Sequence, residues 1–194
     1  DSALRAQLEE RVRREGGQAL LDELARADPD TAARLHPNDE KRIVRALEVY
    51  LSTGKTITQH NRETLALPPR YDALTITLAF QRREDMWARI DRRVDEMMER
   101  GQAQEVRSLL DSGVPEKCTA MQAIGYKEMA AALRGDGDVD RAAREIQLRS
   151  RQYAKRQLTW FRRNGAAKWI TWDSEPNFAQ ALQVSTGYLE DFGI

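Results

Sequence analysis

The stretch from Arg149 to Arg163, Arg-Ser-Arg-Gln-Tyr-Ala-Lys-Arg-Gln-Leu-Thr-Trp-Phe-Arg-Arg, gathers cations, stacking aromatics and amides onto one predicted helix. That combination suits a phosphate backbone with unstacked bases, the form in which RNA meets a protein. With residues advancing about 100° each along a helix, Arg144, Arg151, Lys155 and Arg162 share a narrow sector, and Arg149, Arg156 and Arg163 run beside them at heptad spacing. Ala142, Ile146, Tyr153 and Trp160 lie opposite and form the expected apolar side. Gln157 falls toward that side, where an amide needs a hydrogen-bonding partner. Only Glu145 interrupts the positive charge between Arg141 and Arg163. Such a helix needs either an anion laid against it or carboxylates from elsewhere in the fold.

Three further groups could do chemistry. Lys41, Arg42 and Arg45 sit within one turn of a predicted helix and could hold a phosphate, unless Glu40 and Glu48 neutralise them locally. Arg89 and Arg93 are like charges one turn apart, which a diphosphate would bridge and which Asp85 and Glu96 could equally satisfy. In Gln122-Ala-Ile-Gly-Tyr-Lys127 a glycine permits close backbone approach beside a stacking ring and a cation. The bland alternative is that Gly125 relieves helix packing and Tyr126 is core. Ser52-Thr-Gly-Lys-Thr56 resembles a phosphate loop in outline, but Val49 stands where the first glycine belongs and a helix precedes it. Gly54 therefore reads as a helix stop.

Composition bounds these options. The chain has 194 residues, 41% of them apolar and 32% charged, with 31 basic and 31 acidic side chains. Attraction for a polyanion must then come from the distribution of charge, because the net charge is zero. One cysteine, Cys118, and two histidines, His36 and His60, exclude an internal disulfide and a Cys/His zinc site and point to a reducing cytoplasm. No membrane span or signal peptide is visible. The opening Asp1-Ser2-Ala3 passes straight into a helix and reads as part of something longer.

The elements that must position these residues follow from periodicity. Residues 3–15, 18–27, a short helix after Asp28-Pro29, and 39–52 form an all-helical unit ending near residue 72, with residues 58–70 as a polar, proline-bearing segment. A strand at 74–80 opens the second part, followed by helices at 84–100, 103–112, 122–134 and 139–163, a strand at 168–172 and a helix at 177–191. Two strands are too few for a sheet of ordinary size, so further strands are expected outside this chain.

In order, residues 33–50, 89–97, 122–127 and 151–162 resemble the bacterial tRNA dimethylallyltransferase, or isopentenyl-tRNA transferase, family across essentially the whole chain. The resemblance implies an α/β fold, mostly helical over this chain. It consists of the C-terminal half of a P-loop, kinase-like core at residues 73–194 and an all-helical insertion at 1–72 that grips the anticodon stem-loop. It implies transfer of a dimethylallyl group from dimethylallyl diphosphate to the exocyclic amine of the adenosine 3′ to the anticodon. Carried over by position, Arg5, Lys41, Arg42, Ile43, Val44 and Arg45 are implied to contact tRNA. So are Gln122, Ala123, Ile124, Gly125, Tyr126 and Lys127, and Lys155, Arg156, Gln157, Leu158, Thr159, Trp160, Phe161 and Arg162. Arg93 is implied to bind the diphosphate. The intact enzyme would use Mg²⁺, with no metal ligand in this chain, and act as a cytoplasmic monomer.

The family's phosphate loop, its Asp-Ser segment with the general base and its Gly-Gly-Thr segment have no counterpart among these residues. Asp1-Ser2 belongs to the start of the insertion, so no catalytic residue is assigned and the chain alone is expected to be inactive. Three alternatives stay open: a non-catalytic RNA-binding module, an adenylate isopentenyltransferase acting on free nucleotides, and a helical scaffold with incidental basic faces.

Overall fold

The computed structural model describes residues 1–193. The chain divides into two compact units at Asp72 and Ala73.

The first unit is helical: α1 (Ser2–Glu15), α2 (Gly17–Ala27), α3 (Pro29–Ala32), α4 (Glu40–Thr53) and α5 (Ile57–Ala66). Leu8 and Val12 of α1, Leu20 and Leu24 of α2, and Ile43, Val44 and Leu47 of α4 repeat at helical spacing and close one core. Asp1 caps α1, its carboxylate accepting from the Ala3 and Leu4 amides at 2.9 and 3.1 Å. Its role here is that of a helix cap. Gly54 ends α4 in the left-handed region (φ 71°), as the glycine reading requires.

Helix α5 occupies most of the polar, proline-bearing segment 58–70, for which the sequence suggests no element. Thr56 and Gln59 form a reciprocal capping box, which starts a helix in a polar segment with no buried residue of its own. A polar latch fastens it: buried Asp28 accepts from the Thr58 amide at 3.0 Å, the Thr58 hydroxyl at 2.6 Å and the Thr31 amide at 3.1 Å. Burial alone would push the Asp28 carboxyl up; the hydrogen bonds from Thr58 and Thr31 outweigh it and hold it below its ordinary value.

The second unit contains β1 (Ile76–Phe80), α6 (Arg83–Glu99), α7 (Gln102–Asp111), a 3₁₀ turn (Ala120–Gln122), α8 (Tyr126–Arg134), α9 (Val139–Phe161), β2 (Lys168–Trp172) and α10 (Phe178–Phe192). The strands pair in parallel, Ile76 opposite Lys168 through Phe80 opposite Trp172, with α6 to α9 as the crossover. Val94, Val106, Met121, Met129, Ala142 and Ile146 build the helical core. Ile170, Trp172 and Ala181 join α10 to the sheet. This part of the chain is mostly helical with a small parallel sheet. No described helix is long and apolar enough to cross a membrane.

Two local corrections bear on the site. Residues 122–125 do not begin a helix: the 3₁₀ turn ends at Gln122, and Gly125 (φ 104°, ψ −50°) precedes α8. The apolar side of α9 does not follow the heptad through Tyr153 and Trp160, which are 50% and 65% exposed. Ala142 and Ile146 are buried, and further along Ala154, Leu158 and Phe161 turn instead toward the face of β1. The half-buried stripe thus shifts around the helix along its length, and its later members border the groove that β1 also lines.

Candidate nucleic-acid interface

Within the first unit, α1 and α4 enclose a cleft of about 490 Å³ lined by Arg5, Glu9, Arg13, Glu40, Lys41 and Arg45 over Val12 and Val44. Lys41, Arg42 and Arg45 are exposed along α4. Ile43 and Val44, which belong to the same predicted contact segment, are core residues, since every third and fourth position of α4 must turn inward. Lys41 and Arg42 form no ion pair among the described residues, whereas Arg45 donates to Glu48 at 3.0 Å.

Glu48 links two of the arginines that line this cleft, Arg5 and Arg45. It is only 3% exposed, and one of its oxygens, Oε2, also accepts from Arg5 Nε at 3.1 Å and Nη2 at 2.6 Å. Hydrogen bonds from Arg5 hold the carboxyl down to about 2, against the opposing effect of burial. Sequence reasoning saw Glu48 only as a local neutraliser. The partner on α1 lies 43 positions away, and no periodicity shows it.

In the second unit, α6, α9 and the turn before α8 line a cleft of about 730 Å³. Ile90, Val94, Met97, Ile124 and Ile146 supply an apolar floor, and Arg93, Gln122, Tyr153 and Gln157 supply polar and aromatic groups. Three separately predicted segments thus meet in one concavity: the diphosphate arginine, the 122–127 turn and the α9 amide. Arg93 and Arg89 are exposed and form no ion pair among the described residues, because Asp85 pairs with Arg82 and Glu96 with Arg100. Gln157 is exposed. Its amide therefore has no buried hydrogen-bonding demand, contrary to the expectation from the heptad.

The predicted cations of α9 separate into two groups. Arg141, Arg149 and Arg151 pair with Asp136, Glu145 and Asp91 at 2.9, 2.6 and 2.6 Å. Arg151 is also 5.9 Å from the ring centre of Trp87, which Arg83 covers from 4.6 Å. It therefore belongs to the packing of α6 against α9. Arg144, Lys155, Arg156, Arg162 and Arg163 are exposed and form no ion pair among the described residues. Of the segment 155–162, Leu158 and Phe161 line the groove over β1, and the Thr159 hydroxyl donates to the Lys155 carbonyl at 2.9 Å.

The 122–127 turn is built for packing as well as exposure. A Cβ on Gly125 would lie 2.6 Å from Gln102 Nε2. Tyr126 packs on the helical core and its hydroxyl donates to Glu105 at 2.6 Å, which raises its pKa. Its ring is thus a half-buried support. Gln122, Ala123 and Lys127 are the exposed members of the turn, with Gln122 Nε2 donating to the Glu116 carbonyl at 2.8 Å. A second cleft between α8 and α9, of about 620 Å³, brings Gln122, Lys127, Arg141, Arg149 and Arg156 together.

A family model described as IPP transferase matches residues 1–164. The chain is 45% identical over 193 residues to the tRNA dimethylallyltransferase of Geobacter sulfurreducens, covering all of this chain and 60% of that protein. It is 38% identical over 194 residues to the tRNA dimethylallyltransferase of Acetivibrio thermocellus, covering 62% of it. Among solved structures, the full-length tRNA isopentenylpyrophosphate transferase of Bacillus halodurans superposes with a TM-score of 0.57 at 36% identity, covering 98% of this chain and 59% of that one. A eukaryotic dimethylallyltransferase acting on tRNA superposes with a TM-score of 0.69 at 28% identity, covering 88% and 46%. The chain spans about 60% of the length of the curated relatives it matches. A match over most of the chain shows that it belongs to the IPP transferase family.

Proposed function

We propose that this chain is the RNA-gripping and C-terminal core portion of an enzyme that prenylates tRNA. It would transfer a dimethylallyl group from dimethylallyl diphosphate to the exocyclic amine of the adenosine 3′ to the anticodon. The observation that carries this reading is the single cleft in which Arg93, Gln122 and Gln157 converge over an apolar floor. An allylic diphosphate needs both an apolar wall and a cation, and a base taken out of its stack needs amide and ring partners.

The chemistry sets the division of labour. An aromatic amine is a weak nucleophile, so the reaction depends on holding it in line with the allylic carbon while the C–O bond to diphosphate breaks. The leaving diphosphate gathers negative charge, and a cation placed against it stabilises it. Arg93 takes that role. Lys41, Arg42 and Arg45 with Arg5 hold the anticodon stem, and residues 122–127 and 155–162 hold the loop. No general base is assigned within this chain, and residues 1–72 and 73–194 are read as the insertion and as half of a P-loop core.

Mg²⁺ is read as serving the intact enzyme. Its ligands are read as lying outside this chain. The setting is read as cytoplasmic and the protein as a monomer.

The length of the cationic track favours RNA over a free nucleotide. The cations that form no ion pair among the described residues run from Arg144 through Lys155 and Arg156 to Arg162 at the end of α9, which at about 1.5 Å per residue is about 27 Å, much longer than a mononucleotide. The test is binding of this chain to an anticodon stem-loop hairpin against adenosine monophosphate, followed by incubation with tRNA and dimethylallyl diphosphate. Tight, salt-sensitive binding of the hairpin alone is expected. Equal affinity for the mononucleotide would overturn the tRNA reading, and prenyl transfer by this chain alone would overturn the absence of a base.

A further inference from the structure

We infer that Glu48 is a positioning residue for RNA binding, whose buried carboxylate holds the guanidinium groups of Arg5 and Arg45 on one shared oxygen with their remaining donors turned outward. The inference rests on the tRNA reading above.

Arg5 comes from α1 and Arg45 from α4, one turn before Glu48, and both reach the same Oε2. A guanidinium carries five N–H donors in a rigid fork. Glu48 occupies two on Arg5 and one on Arg45, which leaves three and four. Both arginines remain about half exposed or more, at 49% and 61%, beside Lys41 in the α1–α4 cleft. An anion entering that cleft meets donors whose rotamers are already fixed, so the entropy of ordering two long side chains does not weigh against binding.

The sign of one substitution separates this role from simple electrostatics. Removing a negative charge from a cationic cleft strengthens attraction for RNA by Coulomb's law alone. Loss of a positioning group weakens it. We expect Glu48→Gln in the full chain to bind an anticodon stem-loop hairpin roughly tenfold more weakly, the order of effect of removing one charge-assisted hydrogen bond. The slope of log affinity against log salt should fall by about one, despite the added positive charge.

Because Glu48 also ties α1 to α4, two exposed, charge-conserving variants, Arg5→Lys and Arg45→Lys, accompany it. A lysine keeps the charge but cannot share the carboxylate as a fork. Weaker hairpin binding by these variants, with unchanged thermal melting, supports the inference. Binding as tight as the parent's in Arg5→Lys and Arg45→Lys, or tighter binding in a folded Glu48→Gln, overturns it. Arg42→Ala and Lys155→Ala serve as the separate check: if they too leave affinity unchanged, the tRNA reading itself fails.

Discussion

Gly125 and Gln102 approach so closely that a single added methyl group at the glycine would stand 2.6 Å from the amide nitrogen of the glutamine. The glycine also holds φ at 104°, a region that L side chains rarely enter. Gly125→Ala should therefore destabilise the second unit by about 1–3 kcal/mol, through backbone strain together with displacement of the buried Gln102. Urea denaturation monitored by circular dichroism checks this. An alanine variant as stable as the parent would show that the turn tolerates a Cβ.

Arg151 should behave unlike its neighbours on α9. Its pairing with Asp91 at 2.6 Å is partly sheltered, with both side chains about 30% exposed. Arg151→Ala is expected to cost about 1 kcal/mol of stability and to change hairpin affinity less than Lys155→Ala. Thermal melting and anisotropy titrations on both variants decide the matter.

The unpaired cations carry the salt dependence. Affinity for tRNA should fall steeply as salt rises. Arg42→Ala, Lys155→Ala and Arg162→Ala should each weaken binding and flatten the slope by about 0.7–0.9 for every phosphate left without its cation. Titrations at several salt concentrations measure it directly. Binding insensitive to salt would contradict phosphate neutralisation by these side chains.

Acid should reach Glu48 late. Its carboxyl titrates at about 2 in the folded chain against an ordinary 4.5. Between those values the unfolded chain holds a proton that the folded chain does not. Stability from this group is thus fully present above about pH 4.5 and is lost as pH falls toward 2. Denaturation of the first unit from pH 2.5 to 5 should show stability rising with pH, and Glu48→Gln should flatten that rise.

Much of this arrangement was legible in the residues themselves. Strand Lys168–Trp172 has the bounds its alternation suggests, and Gly54 stops α4 as a left-handed cap. Local chemistry decides both. What was not legible depends on partners distant along the chain. The heptad through Tyr153 and Trp160 pointed to a buried stripe, but both are exposed and Leu158 and Phe161 are half-buried instead, lining a groove with β1. Helix α5 was hidden because no residue of it is buried; the Thr56 and Gln59 capping box was its one signal. Among the candidate contact residues of the two units, the segments at 41–45, 122–127 and 155–162 were visible as chemistry. Which of their side chains reach solvent was settled by helix phase and by pairings such as Tyr126 with Glu105.

The exposure of Trp160 has a practical corollary. Of the four tryptophans it is the exposed one, while Trp87 and Trp169 are half-buried and Trp172 is buried. Iodide should quench its emission ahead of the other three indoles. A ligand lying along the end of α9 would shield it, so the chain carries a built-in optical gauge of occupancy that needs no added dye.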